Sequence, residues 1–116
     1  MAEMSEITPI FERYQEELGR FLLQIQTVRV LDADAFERLE SDSQELARLL
    51  KNRPSVPKSV LREMRAAMKI LRAEAPYMPS EERVMNDMAD RVEMTFDLIL
   101  LSEDHSDRTP GVPRIL

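Results

Sequence analysis

Apolar residues recur at steps of three and four in four stretches of this chain, and this spacing constrains the fold more than any other feature. In the first stretch, the pattern is carried by Phe11, Tyr14, Leu18, Phe21 and Ile25. Such spacing places the side chains on one side of an α-helix. We therefore predict four amphipathic helices, at about residues 9–29, 35–52, 57–75 and 81–103.

Proline-rich segments separate the helices. "NRPSVP" and "APYMPS" each hold two prolines, which break a helix interior. At the other helix starts, Thr8 followed by Pro9 fits an N-cap, and Asp34 with Glu37 fits a capping box. Because the links are short, consecutive helices should run antiparallel. The predicted fold class is all-α, an antiparallel up-down-up-down four-helix bundle with an extended C-terminal tail.

Length and composition indicate the domain organisation and the cellular location. A chain of 116 residues forms one domain, which we place at residues 1–103, with the tail at 104–116. We expect no membrane partner, because no stretch approaches the ~20 apolar residues of a membrane span. Cysteine is absent and the start lacks a secretory signal, which together favour the cytoplasm.

Positive charge is concentrated in one part of an otherwise acidic chain. The net charge is −6, yet residues 48–72 hold eight cations and one acid. On the third helix, five cations recur at steps of four, three, four and three, so they share one side of the helix. We call them the basic stripe: Lys58, Arg62, Arg65, Lys69 and Arg72.

Whether the cations of the basic stripe form ion pairs depends on which helices lie beside them. If the second helix folds back beside the third, Glu37 lies opposite Arg72 and Glu40 lies opposite Lys69. The second helix offers no acid to the rest of the stripe, although the first or fourth helix could. Two alternatives remain: full neutralisation within the chain, or an exposed patch that binds a partner through Lys51, Arg53, Lys58, Arg62 and Arg65.

An exposed basic patch could bind two kinds of partner. Nucleic acid could bind through phosphate contacts alone, since no aromatic residue lies between Lys51 and Arg72 to stack on a base. An acidic protein surface fits the charge equally well, including the acidic face of a second copy of this chain.

Apolar features of the sequence also indicate contact with protein. The stretch "TFDLILL" is apolar on nearly all sides, which fits either deep burial or a homodimer face. The residues predicted for that face are Leu98, Leu100 and Leu101. The third and fourth helices also carry five methionines, which either fill the core or line a deformable partner groove. These are Met64, Met68, Met85, Met88 and Met94.

The tail ends on apolar residues after a predicted turn. Pro110 and Gly111 suit a type II turn. Beyond it, Val112, Ile115 and Leu116 fit either a docking peptide or a loose terminus.

Signals for catalysis or cofactor binding are weak. His105 lies among three acids, but a solvated junction after a helix end is favoured over a metal site because there is no second histidine. A glycine-rich phosphate loop and a nucleophile elbow are both absent. We predict no catalytic residue, no metal site and no cofactor.

The predicted function is therefore a non-enzymatic, protein-binding helical module of adaptor, chaperone-like or regulatory type, acting as a homodimer. The alternative is a regulator that binds nucleic acid or another polyanion through the basic patch at residues 51–65.

Overall fold

Four α-helices dominate the structure, as predicted. The computed structural model describes the backbone of residues 4–107 and the side chains of residues 6–107. The helices are α1 (Met4–Val28), α2 (Ala33–Leu50), α3 (Lys58–Glu74) and α4 (Glu82–Leu100). Short 3₁₀ turns lie at Ala75–Tyr77, Pro79–Glu81 and His105–Asp107. The all-α bundle is confirmed for this part of the chain, where no helix is long and apolar enough to cross a membrane.

Two helices begin earlier than predicted. We expected α1 to start at Pro9, but Pro9 lies within the helix. Proline removes one helical hydrogen bond, and burial of Ile7, which is only 1% exposed, offsets that loss. Helix α2 is capped by Asp32 and not by Asp34, since the Asp32 carboxylate accepts a hydrogen bond from the Ala35 N–H at 3.0 Å.

Consecutive helices form two antiparallel hairpins. In the first, α1 packs against α2, and Arg13 pairs with Asp42 whereas the later residue Glu17 pairs with the earlier Arg38. In the second, α3 packs against α4, and Arg72 near the end of α3 meets the first half of α4. The predicted up-down-up-down order of directions is therefore confirmed.

The hairpins pack side by side, with α1 beside α3 and α2 beside α4. Both of these pairs run parallel. Gln15 donates to Glu63, and Arg29, directly after α1, pairs with Glu74 at the end of α3. On the other side, Glu40 pairs with Arg91. Helices α2 and α3 consequently occupy opposite corners of the bundle.

This diagonal placement overturns the predicted register between α2 and α3. The pairs Glu37–Arg72 and Glu40–Lys69 require adjacent helices, and that expectation is wrong. The seven-residue link 51–57 reaches roughly 23 Å when extended. The diagonal of four helices packed 8–10 Å apart is only about 14 Å. The link can therefore cross the end of the bundle.

The core runs between all four helices. The rings of Phe21 and Phe36 lie 5.9 Å apart, and the Arg91 guanidinium lies over the Phe36 ring at 5.3 Å. Met64 and Leu71 of α3 are fully buried beside them in the same apolar cluster. Burial of such side chains is the main stabilising term for a domain of this size.

The chain after α4 is tied back to the end of α2. The Lys51 Nζ donates to the Asp107 carboxylate at 2.9 Å, and Asp104 is buried. Residues 104–107, predicted as the start of an extended tail, thus include a folded 3₁₀ turn. The predicted docking residues Val112, Ile115 and Leu116 lie outside the described residues, and their docking stays a prediction.

This C-terminal contact should loosen in acid. The hydrogen bond from Ser106 lowers the pKa of Asp104, and the hydrogen bond from Lys51 lowers the pKa of Asp107. A carboxyl with a lowered folded-state pKa stabilises the fold above its unfolded pKa, and this contribution disappears as pH falls through the folded pKa. The hydrogen bond to Asp107 raises the pKa of Lys51, so its contribution persists at neutral pH and is lost only in strong alkali.

Carboxyl-carbon NMR titration tests this expectation. Asp104 and Asp107 should both titrate below the ordinary aspartate value of 3.8. Lys51→Ala should move the titration of Asp107 back toward that value. Ordinary titration of both groups in the parent protein would contradict the contact.

Candidate partner-binding surface

The basic stripe lies on the solvent-facing side of α3. All five of its residues are exposed, whereas Val60, Met64, Ala67 and Leu71 on the opposite side of the helix are fully buried. The 14 steps along the helix from Lys58 to Arg72 make a row roughly 21 Å long. The stripe is therefore a single continuous line of charge.

Ion pairs neutralise one end of the stripe. Arg72 donates to Asp90 at 3.0 Å and also contacts Glu93, so its acids come from α4 and not from Glu37. Lys69 was expected to pair with Glu40, but Glu40 pairs with Arg91. Within residues 4–107, Lys69 has no ion pair.

The remaining stripe residues are also unpaired in the described chain, namely Lys58, Arg62 and Arg65. Most cations elsewhere in residues 4–107 do pair with an acid: Arg13, Arg20, Arg29, Arg38, Arg48, Lys51 and Arg91. Arg53 is half-buried and also has an interaction. Apart from Arg83 on α4, the unpaired cations of the described chain thus lie on the outer side of α3.

Two members of the predicted patch are engaged in the fold. Lys51 lies 2.7 Å from an Asp107 carboxylate oxygen, so the expectation that Lys51 is unpaired is wrong. The reason is the 3₁₀ turn after α4, which packs against the end of α2 from a distant part of the sequence. With Arg53 half-buried in the link, the accessible patch reduces to Lys58, Arg62 and Arg65, and it extends to Lys69.

A groove runs beside the stripe, between α3 and α4. Its volume is about 280 Å³. Cations of the stripe line the α3 side, and Glu93 and Asp97 line the α4 side. Met68 and Phe96, which are mostly buried, supply apolar surface between them. The groove therefore combines a basic wall, an acidic wall and an apolar floor.

No protein-family model, curated protein or solved structure matches this chain at a significant level. The function must therefore be argued from the surfaces of the chain itself.

The predicted homodimer face is not one surface. Leu98 is fully buried within the bundle, so its expected place on an exposed face is wrong. Leu100 and Leu101 are 56% and 40% exposed. The apolar ends of α1 and α4 lie at opposite ends of the bundle, because α1 and α4 run in opposite directions. The homodimer stays a prediction that rests on Leu100 and Leu101.

The methionines mainly fill the core. Four of the five on α3 and α4 are buried, and only Met94 among them is exposed, at 37%. The buried four are Met64, Met68, Met85 and Met88. Of the two alternatives that the sequence left open, the structure therefore favours adaptable core packing, with Met68 also reaching the α3–α4 groove.

His105 is part of the fold near the end of α4. Its Nε2 lies 3.0 Å from the Thr95 hydroxyl oxygen, a hydrogen-bonding distance. Among residues 4–107, no group of three or more histidine and acidic side chains is arranged to hold a metal ion.

Proposed function

We propose that this protein is a non-enzymatic binding module that holds an acidic surface of a partner protein on the outer side of α3. The observation that carries the proposal is the row of four cations without ion pairs in the described chain, at Lys58, Arg62, Arg65 and Lys69. Like charges at steps of three and four repel each other within a helix. An anionic partner surface removes that repulsion and guides association.

A protein partner fits the surroundings of the stripe better than nucleic acid does. Acids of α4 line the same groove, namely Asp97 and Glu93, and they would repel a polyphosphate backbone. The net charge of −6 adds to that repulsion. The aromatic ring beside the stripe, Phe96, is partly buried in the floor of the groove and so offers a base little surface to stack on. A protein surface can present charges of both signs and so match both walls.

The proposal places the module in the cytoplasm, on the basis of its cysteine-free composition. An adaptor, chaperone-like or regulatory role then depends on which protein is held. Homodimer formation through Leu100 and Leu101 would bring a second copy close to the Lys58 end of α3, because the end of α4 lies level with the start of the antiparallel helix α3.

Charge reversal on the stripe tests the proposal. In affinity capture from the native cell, the Arg62→Glu/Arg65→Glu variant should lose the partner that the parent protein retains. Its melting temperature should stay close to that of the parent, because exposed charges contribute little to stability. Capture by the parent protein should weaken as salt is raised.

The single variant Arg62→Glu should also capture less of the partner, and Arg83→Glu is its matched control. Both arginines are exposed, both lack an ion pair in residues 4–107, and each change alters the net charge equally. The control should retain the partner. Equal capture by the double variant and the parent protein would contradict the proposal. A captured species that nuclease removes would instead favour the nucleic-acid alternative.

A further inference from the structure

We propose that the groove between α3 and α4 receives an acidic amphipathic helix of the partner protein, with one large apolar side chain seated between Met68 and Phe96. This inference rests on the proposed function and specifies the structure of the partner segment.

The spacing of the stripe selects a helix over an extended segment. Its cations repeat on average once per helical turn, or about 5.4 Å. Acids at the same steps on a helix lying along α3 stay in register with them. Side chains on one face of a strand repeat at about 6.7 Å. Over the three steps from Lys58 to Lys69, a strand would fall out of register by roughly 4 Å.

The groove supplies a seat for an apolar anchor. Its volume of about 280 Å³ exceeds that of one large apolar side chain, so there is room for such an anchor. Met68 is an unbranched and adaptable side chain that can adjust to the anchor. The partly buried ring of Phe96 adds apolar surface on the opposite side. Helix-in-groove recognition uses anchors of this kind.

The two walls determine how the partner helix is rotated about its axis. Arg65 and Lys69 on the α3 wall attract the acidic side of that helix. Asp97 on the α4 wall has no ion pair in the described part of the chain and can accept a basic side chain. The partner helix should therefore carry acids on one flank of its apolar anchor and a base on the other.

A membrane surface is a poorer fit for the same cations. A helix that lies in a membrane interface presents large apolar side chains beside its basic residues. Among the described residues, α3 carries no large exposed apolar side chain of its own, and those of this kind belong to other segments: Leu23, Val28, Val30, Tyr77, Val84, Met94, Leu100 and Leu101.

Fluorescence anisotropy with a synthetic peptide tests the inference. The probe is a helical peptide with four glutamates at steps of four, three and four, a leucine anchor and one lysine on the far flank. It should bind the full chain at least tenfold more tightly than a scrambled peptide of the same composition. Replacing its leucine with alanine should weaken binding about tenfold. Arg65→Glu in the protein should weaken binding as well, whereas Arg83→Glu should not.

Methyl NMR locates the anchor. Binding should shift the Met68 methyl signal. The Met85 methyl signal should stay unchanged, because Met85 is fully buried and does not line the groove. The alanine peptide should leave the Met68 signal nearly unchanged. The third probe is a 20-nucleotide oligothymidylate. Equal affinity for the designed peptide, the scrambled peptide and this oligonucleotide would overturn the helix-in-groove inference. The basic stripe would then still be an anion-binding surface. Absence of binding to all three probes, together with unchanged partner capture by Arg62→Glu/Arg65→Glu, would overturn the proposed function as well.

Discussion

Glutamate in place of Leu98 should unfold the bundle, whereas glutamate in place of Leu100 should leave it folded. Leu98 has no exposed surface, so the substitution places a carboxylate in the core without a partner. The cost of about 5 kcal/mol or more is comparable to the total stability of a small domain. Leu100 is 56% exposed, and a charge there remains in water. Circular dichroism with thermal melting distinguishes these results.

The conservative Leu98→Met variant serves as a control. It keeps the apolar volume and should lose less than about 1.5 kcal/mol. A Leu98→Glu protein that melts like its parent would mean that this side of α4 does not face the core. Light scattering on Leu100→Glu also tests the homodimer: a parent dimer that becomes a monomer would support it, and a monomeric parent would exclude it.

Alanine in place of Leu71 should lower the free energy of unfolding by about 2–5 kcal/mol. Leu71 is fully buried between the hairpins, so its truncation removes apolar contacts and leaves a cavity. Leu23→Ala is the matched control, because the same atoms are removed at a position that is 57% exposed. The control should change stability by less than about 0.5 kcal/mol. Urea unfolding measures both, and equal losses would contradict the observed burial.

The number of helices and their buried sides were predictable because they depend on a local pattern. An apolar residue every three or four positions defines one side of a helix wherever that helix later packs. Phe21 and Ile25 were placed on the buried side of α1 on this basis alone. The start of α1 was not predictable, because it depends on burial of Ile7 against other helices, which outweighs the unfavourable effect of Pro9.

The neighbours of each helix could not be predicted in the same way. A seven-residue link can span either one edge of the bundle or its diagonal, so the sequence between α2 and α3 does not choose between them. The partner of Glu40 therefore changed from Lys69 to Arg91. Lys51 similarly pairs with Asp107, 56 residues away, which no local pattern indicates.

The basic stripe has one property that was predictable from the sequence and one that was not. Its common side was predictable from helical spacing, and the structure places it in solvent. Whether the stripe is paired was not predictable, because acids of any neighbouring helix could reach it. The unpaired state of Lys69 follows from the diagonal position of α2, since Glu40 pairs with Arg91 of α4 instead. The extension of the proposed binding surface to Lys69 therefore depends on α2 lying beside α4.

A double-mutant cycle tests this arrangement most directly. Glu40 accepts hydrogen bonds from two nitrogens of Arg91, one of them the Nε at 2.8 Å, which is the geometry of a strong pair. Stability should be measured by urea unfolding for Glu40→Gln, Arg91→Gln and the double variant, and in parallel for Glu40→Gln with Lys69→Gln. The account predicts a coupling free energy of about 1 kcal/mol between Glu40 and Arg91 and none between Glu40 and Lys69. Coupling of Glu40 to Lys69 without coupling to Arg91 would place α2 beside α3 and contradict the account.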